Sequence, residues 1–262
     1  MRKYKQILTK KKPEKRLLLS LKKRAGRSKS GRITTRHRGG GAKRRYRIID
    51  WRQEKIDIPA KVIALEYDPY RTGFIALLEY KDGEKRYILA SQGLTVGDEV
   101  LISEKTVVRS GNRMKLKNIS PGTMVYNIEM EVGRGGKLVR SAGTGAKILS
   151  HEEDFTHLKM PSTEIRKIKS ECFATVGQVS KSWHRFLRDR KAGDTRHKRR
   201  RPQVRGSAMN AVDHPHGHGG GEGRTSIGLP HPKTPWGKIA RGVRTRKKKR
   251  SNKYIIQRRN KK

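Results

Sequence analysis

The stretch Phe74–Ala90, FIALLEYKDGEKRYILA, reads as a β-hairpin. Two segments rich in β-branched and aromatic residues flank Asp82-Gly83, and an Asp-Gly pair supplies the positive-φ turn that closes two antiparallel strands. The same texture runs outward on both sides. Upstream, Lys61–Tyr67 is a strand ended by Asp68-Pro69. Downstream, a break at Thr95-Val96-Gly97-Asp98 precedes a strand at Glu99–Ile102, and Lys115–Ile119, Thr123–Glu131, Lys137–Ala142, Lys147–Ser150, Thr156–Met160, Glu164–Lys169 and Phe173–Val179 continue the series. Pro121-Gly122 divides it into two groups. Short, closely spaced strands in such groups are the pattern of small closed barrels, which leave no sheet edge exposed. The expected fold class is mainly β. Two barrels span residues 48–121 and 122–195, between basic arms at 1–47 and 196–262. No long amphipathic helix appears, which excludes helical bundles, helix-turn-helix readers and coiled coils.

The charge follows the same division. Of the formal +43, residues 1–47 hold 20 Lys/Arg and one acid, Glu14; residues 48–175 hold 20 Lys/Arg against 18 acids; residues 176–262 hold 26 Lys/Arg and four acids. A nearly neutral body lies between two polycationic arms. Such arms repel themselves and each other and call for a polyanion, of which a nucleic-acid backbone is the densest common example. Solvated surface is the ordinary reading of one short basic run and does not fit charge on this scale. The arms are expected to be irregular, disordered alone and ordered on binding. The body, residues 56–180, is expected to fold without them.

Hydrophobic residues make up 32% of the chain and are concentrated in the middle, enough for one medium or two small cores. Cys172 is the single cysteine. No disulfide can form within the chain, a reducing compartment follows, and the thiol reads as a small buried apolar group rather than a nucleophile. No apolar stretch approaches the length of a membrane span. The opening 30 residues have the composition of an organellar transit peptide. That composition continues to Arg47 and returns at the C-terminus, so it is assigned to the arms.

Four motifs stand in the arms. Arg32–Arg47, RITTRHRGGGAKRRYR, sets three glycines among cations, so that backbone can approach backbone closely. It is not a nucleotide phosphate loop, because no Gly-Lys-Ser/Thr follows and no buried strand precedes it. Asp194–Gly206, DTRHKRRRPQVRG, is an arginine cluster suited to phosphates and base stacking. Arg205–Arg224, RGSAMNAVDHPHGHGGGEGR, alternates His214, His216 and His218 before three glycines. Three histidines with Asp213 or Glu222 would make a zinc set, but structural zinc draws ligand pairs from separated segments and no partner cysteine exists. Asp213–His214 would make an orienting carboxylate and a base, but no nucleophile accompanies them. A tight loop threading between RNA strands is the preferred reading, with His, Asn210 and Arg224 as donors and stacking groups. Thr234–Gly237, TPWG, places Trp236 in a turn, either stacked on a base or anchoring the tail to the body.

Taken in order, GRITTRHRGGGAKRRYRIIDW, YDPYRTGFIALLEYKDGEKRYILA, GTMVYNIEMEVGRGGKLVRSAGTGAKIL, ATVGQV, RGSAMNAVDHPHGHGGGEGR and TPWG resemble the large-subunit ribosomal protein two family. The resemblance runs from about Lys12 to the C-terminus and implies an OB-fold barrel, then an SH3-like barrel, with extended basic arms. It implies a structural constituent of the large ribosomal subunit. Such a protein binds rRNA as a primary binder and supports subunit association, tRNA binding and the peptidyl-transferase region. The implied partners are large-subunit rRNA, neighbouring ribosomal proteins and the small subunit, with no membrane. The setting is the ribosome of a bacterial cytoplasm or an organelle matrix. The family's debated histidine carries over to His214. The family's DHPHGGGEG pattern is departed from by an additional Gly-His, and the segment Ser182–Arg201 departs as well.

The expected RNA contacts are Arg36, His37, Arg38, Arg44, Arg45, Arg199, Arg200, Arg201, Asn210, His214, His216, Arg224 and Trp236. No cofactor or metal is implied, and no catalytic role is assigned. The alternatives are a nucleoid DNA-binding protein, for which long helices or wedge-bearing β-arms are wanting, and a participant in RNA or peptidyl-transfer chemistry through His214.

Overall fold

The computed structural model describes residues 7–9, 12–217, 231–243 and 250–259. They fall into two compact units. Met1–Lys22, Lys43–Arg188 and Arg250–Lys262 form the first; Lys23–Ala42 and Asp189–Lys249 form the second.

The first unit is mainly β. A turn at Lys15–Leu17 leads into β1 (Leu18–Leu19), which pairs antiparallel with β2 (Tyr46–Arg47). Then β3 (Ala60–Glu66), β4 (Ile75–Tyr80), β5 (Lys85–Leu89) and β6 (Glu99–Val100) form a sheet in the order β5-β4-β3-β6. The hairpin turn is as its sequence demands: Gly83 has φ +78°, and Glu84 N–H donates to Asp82 Oδ1 at 3.1 Å. Strand β4 is buried on both faces. Ala76, Leu78 and Tyr80 face the barrel interior with Val62, Leu65, Phe74, Ile88 and Val100. Ile75 and Leu77 face outward onto Ile49, Ala64 and Tyr87, and Leu17 and Trp51 cover that layer. The core therefore extends further toward the N-terminus than the strand pattern suggests. Leu17 and Ile49 lie in basic sequence but seal an apolar sheet face, while Leu21 is exposed.

The second sheet comprises β7 (Arg113–Lys115), β8 (Met124–Tyr126), β11 (Ala146–Glu152), β12 (Phe155–Lys159), β13 (Ile165–Lys169), β14 (Phe173–Val176) and β15 (Ile255–Gln257); a short pair, β9 (Ile128–Glu129) and β10 (Gly136–Leu138), stands beside it. The order is β15-β13-β12-β11-β8-β14-β7. Strands on both sides of Pro121-Gly122 pair with β14. That dipeptide is a turn, and a turn signal alone does not tell a domain boundary from a bend within one sheet. The core is Met114, Leu116, Ile119, Val125, Ile128, Ile148, Leu158, Ile168, Cys172 and Val176. The two sheets make an OB-fold barrel followed by an SH3-like barrel. Among the described residues no helix is long and apolar enough to cross a membrane. After Val179 comes a single 3-10 stretch, Ser182–Phe186, in which Trp183 packs onto the first barrel and Phe186 is exposed.

Candidate nucleic-acid interface

The second unit is built where two basic segments meet. Gly39 N–H donates to Arg199 O at 3.2 Å, and Arg201 N–H donates to His37 O at 3.0 Å. Arg38 and Arg200 form an antiparallel bridge between them. Residues 157 apart in sequence are joined again by Arg196 Nη1, which donates to Gly39 O at 2.6 Å, and by Arg199 Nη2, which donates to Ala42 O. The glycine run is required twice over. Gly40 and Gly41 have φ of +67° and +74°, and a Cβ on Gly40 would sit 1.7 Å from the Arg196 guanidinium. The backbone thus brings Arg36, His37 and Arg38 together with Arg199, Arg200 and Arg201. Arg36, Arg38, Arg200 and Arg201 are exposed, whereas half-buried Arg199 braces the chain. Arg36 lies over the Trp236 ring at 5.4 Å. Trp236 is 74% exposed, so its ring is not buried in a core.

The histidine loop is more ordered than its composition suggests. His214 is buried and packs on Gly206, where a Cβ would lie 2.6 Å from the imidazole. Its Nδ1 accepts the His216 N–H at 3.1 Å. An accepting Nδ1 carries no proton, so the neutral ring holds its proton on Nε2. His216 is set the other way, because its Nε2 accepts the Lys233 N–H at 2.8 Å. The rings stand 4.8 Å apart. Burial holds the His214 pKa below the ordinary imidazole value, with His216 and Arg36 adding to the effect. The position where an orienting carboxylate would bind is therefore filled by backbone. Asp213 N–H is used on Asn210 O at 3.0 Å, and Asn210 is itself exposed. Among the described residues no group of three His, Cys, Asp or Glu is placed to hold a metal. His218, Glu222 and Arg224 lie outside the described residues.

A further cationic cluster lies in the first unit. Trp51 is held by Gly136 N–H, which donates to its carbonyl at 3.0 Å. The guanidinium of Arg140 lies over the Trp51 ring at 4.3 Å and that of Arg71 at 5.2 Å. Arg71 donates to Tyr46 Oη at 2.9 Å and pairs with buried Asp68. Arg140 forms no ion pair with a carboxylate among the described residues; burial, then Arg71, depress its pKa. Two guanidinium groups on one indole favour an arriving anion. Of the expected contacts nearby, Arg44 donates to Pro69 O at 2.9 Å, and Arg45 is exposed.

Two family models match the chain. One, described as the RNA binding N-terminal domain of Ribosomal Proteins L2, matches residues 14–102. The other, described as the C-terminal domain of Ribosomal Proteins L2, matches residues 109–237. The chain belongs to the ribosomal protein L2 family. It is accordingly a structural, rRNA-binding constituent of the ribosome's large subunit. The L2 N-terminal match includes Arg36–Arg45, Trp51 and Arg71, and the L2 C-terminal match includes Arg140, the arginine cluster, the histidine loop and Trp236. Charge density pointed to the arms and passed over Arg71 and Arg140, which are single cations in a neutral region. For Arg71 the available signal was its place beside Tyr70 and Asp68 in YDPYR; Arg140, in LVRSAG, has neither an acid nor an aromatic residue beside it and gave none.

Proposed function

We propose that this L2 family member is a primary rRNA binder whose paired basic segments hold RNA through Arg36, His37, Arg38, Arg200, Arg201 and the exposed ring of Trp236, with Arg44, Arg45, Arg199, Asn210, His216 and Arg224 in supporting contacts. The basic extensions, residues 1–47 and 196–262, hold the RNA, and the barrels between them fix its register. The role extends to subunit association, tRNA binding and the shape of the peptidyl-transferase region, alongside neighbouring ribosomal proteins and across the small-subunit interface. The compartment is a bacterial cytoplasm or an organelle matrix. His214 is a positioning residue in this reading and the protein is not an enzyme.

The observation that carries the reading is the antiparallel joining of residues 37–39 to 199–201. It concentrates exposed guanidinium groups that, among the described residues, form no ion pair with a carboxylate, and such a concentration of like charge suits a polyanion. Arginine forks suit phosphate oxygens and flat bases alike. Membership of a ribosomal family favours rRNA over nucleoid DNA. The test is assembly. A chain carrying Arg36→Gln, Arg38→Gln, Arg200→Gln and Arg201→Gln is expected to lose co-sedimentation with the large subunit. Undiminished incorporation of that chain would refute the proposed contacts.

A further inference from the structure

The outer face of the second barrel is charged in a way that the first is not. In the first sheet, outward residues opposite one another are complementary: Lys61 stands opposite Glu79 and Glu99, and Glu79 stands opposite Lys85. In the second sheet Lys147 stands opposite Lys159, His157 opposite Lys167, and Phe155 opposite Lys169. These side chains point away from the core, because Ala146, Ile148, Thr156, Leu158 and Ile168, which alternate with them, are buried. Like charges directly opposed weaken a strand pair. Among the described residues the nearby carboxylates pair with other groups than these lysines. Glu152 pairs with His157 at 3.3 Å and Glu164 with Arg166 at 3.5 Å. Among the described residues Lys147, Lys159, Lys167 and Lys169 make no ion pair, though Lys167 lies over the Phe155 ring at 5.1 Å. Strand β15 then adds to the edge of this face. Ile255 stands opposite Arg166 and Gln257 opposite Ile165, so exposed Arg258 and Arg259 follow at the Glu164 end of β13.

We propose that this lysine face is an additional RNA-binding surface, taking the phosphate backbone of a structured RNA through Lys147, Lys159, Lys167 and Lys169. The proposal rests on the rRNA-binding reading above and adds a surface to it. Lysine is the residue that protein–protein interfaces exclude most from their centres, because its strongly hydrated ammonium is costly to desolvate. On a phosphate backbone the same ammonium stays near water and acts by releasing counterions. An RNA backbone is therefore favoured over an acidic protein.

The experiment uses the full chain, large-subunit rRNA and a filter-binding salt titration. A chain with Lys147→Gln, Lys159→Gln, Lys167→Gln and Lys169→Gln is compared with one carrying Lys61→Gln and Lys85→Gln, where lysines face carboxylates. The fourfold variant should make the log–log salt slope shallower by about 3, and the control pair by less than about 1. Because the variant removes the Lys147–Lys159 repulsion, its Tm without RNA should hold or rise. If it fails to fold, amine acylation of the unaltered chain, with and without rRNA, gives the answer: the four lysines should be protected by RNA while Lys61 and Lys85 stay reactive. An unchanged slope in a folded variant overturns the proposal. So does equal acylation with and without rRNA, or protection that arises only when other ribosomal proteins are added. A shallow slope in the unaltered chain would instead strike the rRNA-binding reading itself.

Discussion

At the scale of single residues, His214 is fixed by what it accepts. The His216 N–H occupies Nδ1, the proton sits on Nε2, and Gly206 lies against the ring. In that state the free edge of the imidazole is a donor, which agrees with the proposal that His214 positions its loop or RNA. Replacement with Gln keeps a donor of similar size, whereas Ala removes it. Ribosomes carrying His214→Gln are expected to assemble and form peptide bonds at near-normal rates in single-turnover assays, while His214→Ala impairs assembly or subunit joining. A loss of about a hundredfold for Gln in fully assembled particles would establish a catalytic histidine instead. The pH dependence has a definite sign. The folded pKa of His214 is below its unfolded value, so the neutral form stabilises the loop. That stability is present above the ordinary imidazole pKa and is lost as pH falls through the depressed folded value. Imidazole nitrogen shifts by NMR should show a neutral ring with unprotonated Nδ1 at the pH where an exposed histidine is already half charged. Cys172 bears out its reading as core: it is fully buried, and burial pushes its thiol up to about 12.

At the scale of elements, the second barrel depends on a buried ion pair. Arg113 Nη2 meets Glu129 Oε1 at 3.0 Å with both side chains almost wholly buried. Arg113 Nη1 donates to Asn127 O, and Glu129 also accepts the N–H groups of Gly135 and Phe173. The pair thus ties β7 and β9 to the start of β14. Glu129→Gln leaves the guanidinium buried without its counter-charge and is expected to cost about 3–5 kcal/mol, against less than about 1 kcal/mol for the exposed pair Arg52–Glu54. Denaturant unfolding of each variant measures the difference. Neither partner announced itself in the sequence, because Arg113 and Glu129 sit in segments where charge alternates. The strands themselves were legible, since β-branched residues between Gly, Pro and Asp turns state their own limits. Two features departed from that pattern. The expected strand Thr123–Glu131 is split into β8 and β9 at Asn127, which adopts φ +49°. Strand β15 is hidden because Ile255 and Ile256 lie in an otherwise basic run, and only its pairing partner β13 makes it a strand.

At the scale of the whole molecule, the two halves of the chain's charge are not independent tails. Like charge predicts that the arms avoid each other, yet residues 23–42 and 189–217 are joined through backbone hydrogen bonds that side-chain composition does not encode. The proposed contacts in the arginine runs could be named from sequence because clustered cations have a plain electrostatic meaning; the Trp51–Arg71–Arg140 cluster could not, because only folding assembles it. The same distinction bears on the body. A fragment spanning residues 43–188 is expected to show a dispersed amide NMR spectrum, whereas residues 56–180 lack Ile49 and Trp51 and expose Ile75, Leu77 and Tyr87. Equal dispersion in both would show that the outer layer of the first barrel is dispensable. On the proposed function, this L2 family member binds rRNA by neutralising phosphates with its paired basic segments. A filter-binding titration of the full chain against large-subunit rRNA tests it most directly. With roughly ten phosphates neutralised, the log–log dependence of affinity on salt should have a slope between about −7 and −9; a slope shallower than about −3 would contradict the account.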